Sequence, residues 1–104
     1  MKLILAAAML GGAILSMSAQ AAGDAAAGEG KIGTCVACHG TDGQGLAPIY
    51  PNLAGQSATY LESSLKAYRD SQRQGGMSAL MTPQAQSLSD EDIADIAAYY
   101  SSQE

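Results

Sequence analysis

The run Cys35-Val36-Ala37-Cys38-His39 decides how the rest of this 104-residue chain is read. Two thiols three positions apart fall on one side of a helical turn, and the histidine follows directly. The chain has two cysteines and one histidine, and random shuffling would bring them into this arrangement only about twice in ten thousand trials. C-x-x-C-H is the pattern of covalent haem attachment: the thiols add to the two vinyl groups on one edge of the porphyrin, and the histidine then lies under the iron. Other uses of these residues fare worse. A redox-active C-x-x-C needs a strand and a helix around it, and strand signals are nearly absent. A structural zinc needs four ligands, and there is no third Cys and no second His. A disulfide between Cys35 and Cys38 would close a loop too short to stabilise much.

Upstream, Met1 and Lys2 begin an apolar stretch over residues 3–17, and Ala19-Gln20-Ala21 has the small-residue pattern of a cleavage site. Residues 1–21 are therefore expected to be a signal peptide and residues 22–104 a single domain exported to the periplasm. The apolar run is shorter than the roughly 20 residues a spanning helix needs, so no membrane anchor is expected after cleavage. Removal of 21 residues leaves 83, with four basic side chains (Lys31, Lys66, Arg69, Arg73) and ten acidic ones, a net charge of −6. Such a balance opposes nucleic-acid binding and gives no polybasic handle for an anionic membrane. A redox partner protein with a basic docking face would suit it. A domain this small buries a modest core, and this one has no Trp and no Phe, so a cofactor should supply the missing apolar bulk.

Helical signals dominate. Asp24 is a candidate N-cap for a first helix running through the Ala-rich stretch towards Cys35, although Gly28, Gly30 and Gly33 weaken it. A second helix opens at Ser57, carries Leu61, Leu65 and Tyr68 on one stripe, and ends near Asp70. The third is the best marked: Ser89 and Asp92 form a capping box, Leu88 staples onto Ile93, and Asp90, Glu91 and Asp92 suit the positive end of the helix dipole. Its inward stripe is Ile93, Ile96, Ala97 and Tyr100, with Tyr99 at the edge. Residues 40–56 and 71–87 read as irregular connections, the second holding Met77, Met81 and Pro83.

Taken together, residues 22–104 resemble the class I cytochromes c, in particular the proteobacterial monohaem c553-like proteins and the single-haem halves of cytochrome c4. Gly23-Asp24 with Gly28 and Ile32 looks like that family's N-terminal helix. Pro51-Asn52-Leu53-Ala54-Gly55-Gln56 is similar to its P-x-L-x-G-Q segment, and residues 88–93 with Ala98-Tyr99-Tyr100 to its closing helix. The resemblance implies an all-α cytochrome c fold, about three main helices packed around one covalently attached haem c held by Cys35 and Cys38. It also implies that Gly28 and Ile32 meet Ile96 and Tyr99 where the terminal helices cross. His39 would be an axial ligand, with the Pro51 carbonyl accepting from its non-ligating ring nitrogen. For the sixth iron ligand the residues alone leave Met77 and Met81 open, since a methionine there can also simply fill a gap. In the related cytochromes the ligand stands eight residues before the Ser that caps the last helix, in a run like M-x-P; Met81-Thr82-Pro83 satisfies that count from Ser89 and Met77 does not.

A His39/Met81 pair fills both axial positions, which points to outer-sphere transfer of single electrons rather than to an enzyme. Two other readings stay open: a haem-bearing subunit of a larger respiratory or dehydrogenase complex, and a gas-binding haem sensor or peroxidase with a labile sixth site. Asp90, Glu91, Asp92 and Asp95 could form a docking patch, but helix capping already accounts for most of them.

Overall fold

The computed structural model describes residues 23–104; the expected signal peptide and its cleavage point lie outside the described residues. Five helices follow one another: α1 (Ala25–Glu29), α2 (Val36–His39), α3 (Ala58–Arg69), α4 (Ser78–Ala85) and α5 (Asp90–Ser101). Among the described residues there is no strand, so the fold is all-α. No helix of that part is long and apolar enough to cross a membrane.

Two helices begin and end where their capping residues place them. Ser57 Oγ accepts from the Tyr60 N–H to start α3, and Asp70 ends it. At α5, Ser89 Oγ accepts from Asp92 N–H while the Asp92 carboxylate accepts from Ser89 N–H, a reciprocal capping box. Each such cap contributes about 1 kcal/mol. The first helix is shorter than its Ala content suggests. It stops at Glu29 because Gly30 follows, and glycine loses more backbone freedom than any other residue on entering a helix. The chain then turns through residues 30–35 before resuming as α2. The connection expected over residues 71–87 is also revised, because Ser78-Ala79-Leu80-Met81 are adequate helix formers and build α4. Pro83 lacks an N–H for the i−4 bond, and α4 runs only two residues beyond it.

Packing centres on α5, whose Ile93, Ile96, Ala97, Tyr99 and Tyr100 are buried together with Ile32 and Leu61. It touches α1 on one side and α3 on another, while α4 packs against α3. The α1–α5 crossing is tight enough to exclude side chains. A Cβ on Gly23 would strike the Ala94 carbonyl, and one on Gly28 would strike the Asp95 carbonyl and Tyr99 Cβ. Ile32, just beyond α1, joins Ile96 and Tyr99 in the core.

Charge closes the same seam. Lys31 Nζ lies 2.7 Å from Asp95 Oδ2 and 3.0 Å from Asp92 Oδ1, and Asp95 Oδ1 accepts from the Asp24 N–H at 2.8 Å. Asp95 is buried, and its carboxyl is held below the usual 3.8 first by the Lys31 hydrogen bond and then by Asp24 N–H. The Ser89 N–H, then Lys31, hold Asp92 down likewise. A carboxyl whose folded pKa is depressed stabilises the fold above its unfolded pKa and loses that contribution as pH falls through the folded value. Stability should therefore decline as pH drops below about 4. Asp95→Asn, which keeps the Asp24 contact and removes the charge, should flatten this acid arm. Denaturant midpoints measured across pH check it: equal slopes for wild type and variant would show that Asp95 does not drive the acid sensitivity.

Candidate functional site

Cys35 and Cys38 lie on one turn because a hydrogen-bonded turn at Ile32 leads directly into α2. Cys35 N–H and Val36 N–H donate to the Ile32 carbonyl, and Cys38 N–H and His39 N–H donate to that of Cys35. Buried Ile32 anchors the turn in the core. Both thiols are half-buried and unbridged. Burial pushes the Cys35 thiol pKa up, the reverse of the lowered value that activates a redox C-x-x-C nucleophile. Among the described residues no three His, Cys, Asp or Glu side chains gather as a metal cluster. The turn therefore offers two unbridged thiols and one imidazole.

That imidazole is 7% exposed, and its Nδ1 lies 2.9 Å from the Pro51 carbonyl oxygen. A carbonyl only accepts, so Nδ1 carries a proton, and in the neutral ring it is Nε2 that keeps the lone pair. Nε2 makes no hydrogen bond among the described residues and is not sealed from open space. The loop that brings Pro51 back starts at Gly40, whose φ of 79° and ψ of 161° suit glycine alone. Leu46 N–H donates to the Cys38 carbonyl, and the Gly43 carbonyl accepts from Leu53 and Ala54 N–H, folding the loop onto itself.

Met81 sits in the middle of α4 and is half-buried; Met77 caps that helix and is 49% exposed. The structure thus joins His39 with Pro51 directly and carries Met81 on a separate element. Large apolar side chains stand uncovered elsewhere on the fold: Leu46 and Ile49 on the loop after the Cys35–His39 turn, Tyr60 on α3, Leu80 on α4. A chain with so little buried apolar bulk, a free imidazole nitrogen and two available thiols fits a flat apolar macrocycle with a metal at its centre. Two open concavities, lined by residues around Gly45–Asn52 and Ser71–Pro83, contain neither the thiols nor His39 and belong to the loop surfaces.

The sequence pattern of the cytochrome c family matches residues 20–104. The chain belongs to the cytochrome c family. It is a haem electron carrier whose cofactor is covalent haem c, and Cys35 and Cys38 fit the family's attachment motif, which occurs once in the chain. Cytochrome c-554(548) of Halomonas halodenitrificans is 89% identical over 83 residues, covering 80% of this chain and 100% of that protein. The crystal structure of reduced recombinant cytochrome c4 from Pseudomonas stutzeri superposes with a TM-score of 0.65 at 43% identity, over 80% of this chain and 47% of that one. A thiosulfate dehydrogenase electron acceptor of Stutzerimonas stutzeri is 42% identical over 72 residues, 69% of this chain and 33% of its own length. The chain thus spans the whole of the first relative and less than half of the other two.

Two features of this region were not visible in the sequence. The acidic cluster at the start of α5 is largely neutralised within the fold: Asp90 meets Arg69 at 2.8 Å, and Asp92 and Asp95 share Lys31. Among the described residues Glu91 alone of that cluster has no ionic partner, which weakens the docking-patch reading. The other feature is the pair of phenols on α5. Tyr99 OH donates to the Thr41 carbonyl at 2.6 Å and Tyr100 OH to the Gly40 carbonyl at 2.9 Å. Inward stripe positions account for their bulk; the clue to the hydroxyls is that a buried phenol needs an acceptor.

Proposed function

We propose that this chain is an exported periplasmic shuttle for single electrons, its haem tethered through Cys35 and Cys38 and its iron held between His39 Nε2 and Met81 Sδ. The observation that carries the reading is the His39 Nδ1 bond to Pro51, which fixes the tautomer and presents Nε2 as a lone-pair donor. When bound, haem c supplies an iron centre that accepts and returns one electron. His39 and the two cysteines, being on one turn, present imidazole and both tethers from the same side. Met81 would add a soft thioether, which favours reduced iron and would raise the potential. With His39 and Met81 both holding the metal, a small ligand would have to displace one of them to bind, which favours a carrier over a sensor or peroxidase.

Export is supported by length: the 83-residue match covers all of the Halomonas protein, and 83 residues remain here after the expected cleavage following Ala21. The net charge of −6 over residues 22–104 supports a partner with a basic face. The name of the Stutzerimonas relative favours a second reading, in which the chain is the electron-accepting subunit of a dehydrogenase. The test is exposure of the reduced holo-protein to carbon monoxide at neutral pH. No prompt spectral change is expected, whereas immediate binding would mean an open sixth site. Elution of the native protein at the size of a complex would favour the subunit.

A further inference from the structure

We propose that Tyr99 and Tyr100 are positioning residues for the iron ligand: their hydroxyls hold the backbone leaving His39 and thereby set the His39–Pro51 bond and the electron donation of the imidazole. The inference rests on the assignment of His39 as ligand. Gly40 and Thr41 are the first two residues after His39, and each has its carbonyl held by one of these phenols, at 2.9 and 2.6 Å. The other end of the loop is held by the same residue, because Gly55 N–H donates to the Tyr100 backbone carbonyl at 3.3 Å. Tyr100 therefore clamps both ends of the segment whose interior carries the Pro51 acceptor. Its ring is buried and meets Tyr99 edge-on at 5.1 Å, so neither phenol swings freely. Burial also pushes the Tyr100 phenol pKa up, keeping it a donor.

The acceptor on a ligating histidine raises its basicity and fixes its plane. Slackening the loop weakens Nδ1–H···O=C, makes the imidazole a poorer donor to oxidised iron, and shifts the reduction potential upward. Tyr→Phe keeps the ring and removes only the hydroxyl, so the core stays filled. The experiment compares wild-type holo-protein with Tyr99→Phe, Tyr100→Phe and the double variant by redox titration and by exchange of the His39 Nδ1 proton in NMR. Ser89→Ala, at the far exposed end of α5, serves as a control for general loss of stability. Each phenol removed should raise the potential and speed Nδ1–H exchange about fivefold, the scale of one neutral hydrogen bond, with the double variant moving furthest. Ser89→Ala should lose stability and move neither quantity. Tyrosine variants that behave like Ser89→Ala would overturn the inference while leaving the ligand assignment intact. A wild-type spectrum without low-spin, nitrogen-ligated iron would overturn both.

Discussion

Met81→Ala should drop the reduction potential by on the order of 100–300 mV, a fraction of the roughly 0.8 V that axial ligation spans, and should let the reduced protein bind carbon monoxide at once. Alanine has no donor atom, so under the proposed ligation the iron would lose the thioether that favours its reduced form and gain an open position. Met77→Ala should leave both properties near wild type. The two methionines differ in setting: Met81 is half-buried at the middle of α4, which packs on α3, whereas Met77 stands at the helix cap in solvent. Potentiometry and carbon monoxide titration on the two variants check this, and the reverse pattern would transfer the ligand role to Met77.

The largest effect on folding should come from Gly28→Ala, because the added methyl meets atoms that cannot rotate away. Its Cβ would occupy the space of the Asp95 carbonyl and press on Tyr99 Cβ, both parts of α5. Relief requires α1 to move off α5, which disturbs the Asp24–Asp95 bond and the Lys31 pairing along the same seam. Overpacking a rigid contact costs about 3 kcal/mol or more, a large share of the roughly 5–15 kcal/mol that holds a domain together. For a domain of this size that corresponds to a fall in Tm of roughly 12–24 °C. Gly30→Ala is the comparison: Gly30 has a φ of −81°, and a Cβ there would find only the Ala27 carbonyl, at 3.6 Å. That change should be neutral or stabilising by about 0.4–1 kcal/mol. Calorimetry of both holo-proteins decides, and equal Tm values would mean that Gly28 does not lie against the Asp95 carbonyl.

How far the sequence could be read depends on how local the determining interactions are. The helices α3 and α5 were legible because their signals sit inside them: Ser57 and Ser89 as caps, the Leu61-Leu65-Tyr68 stripe, the Ser89–Asp92 box. The Cys35–His39 turn was legible because its chemistry requires one spacing. Helix α4 was not, since Gly75, Gly76 and Pro83 are strong local breakers, yet eight residues of helix, packed against α3, follow Met77 and run through Pro83. The early end of α1 depended on glycines whose costs compete with a run of alanines. Contacts distant in sequence were the least accessible. Lys31 finds Asp95 across 64 positions and Tyr100 finds Gly40 across 60, and no pattern within either segment names the other. The family resemblance supplied what spacing alone could not: Pro51 as the His39 acceptor, seen in the structure, and the proposal of Met81 over Met77 as ligand.

The central claim is one haem, bonded at Cys35 and Cys38 and closed by His39 and Met81. Its most direct measurement is the intact mass of the protein recovered from the periplasm, taken with visible spectra of the oxidised and reduced forms. The expected mass is that of the polypeptide from Ala22 to Glu104 plus a single haem, with low-spin spectra in both states and a methionine-to-iron absorption in the oxidised one. A colourless product with the mass of the bare polypeptide would contradict the account.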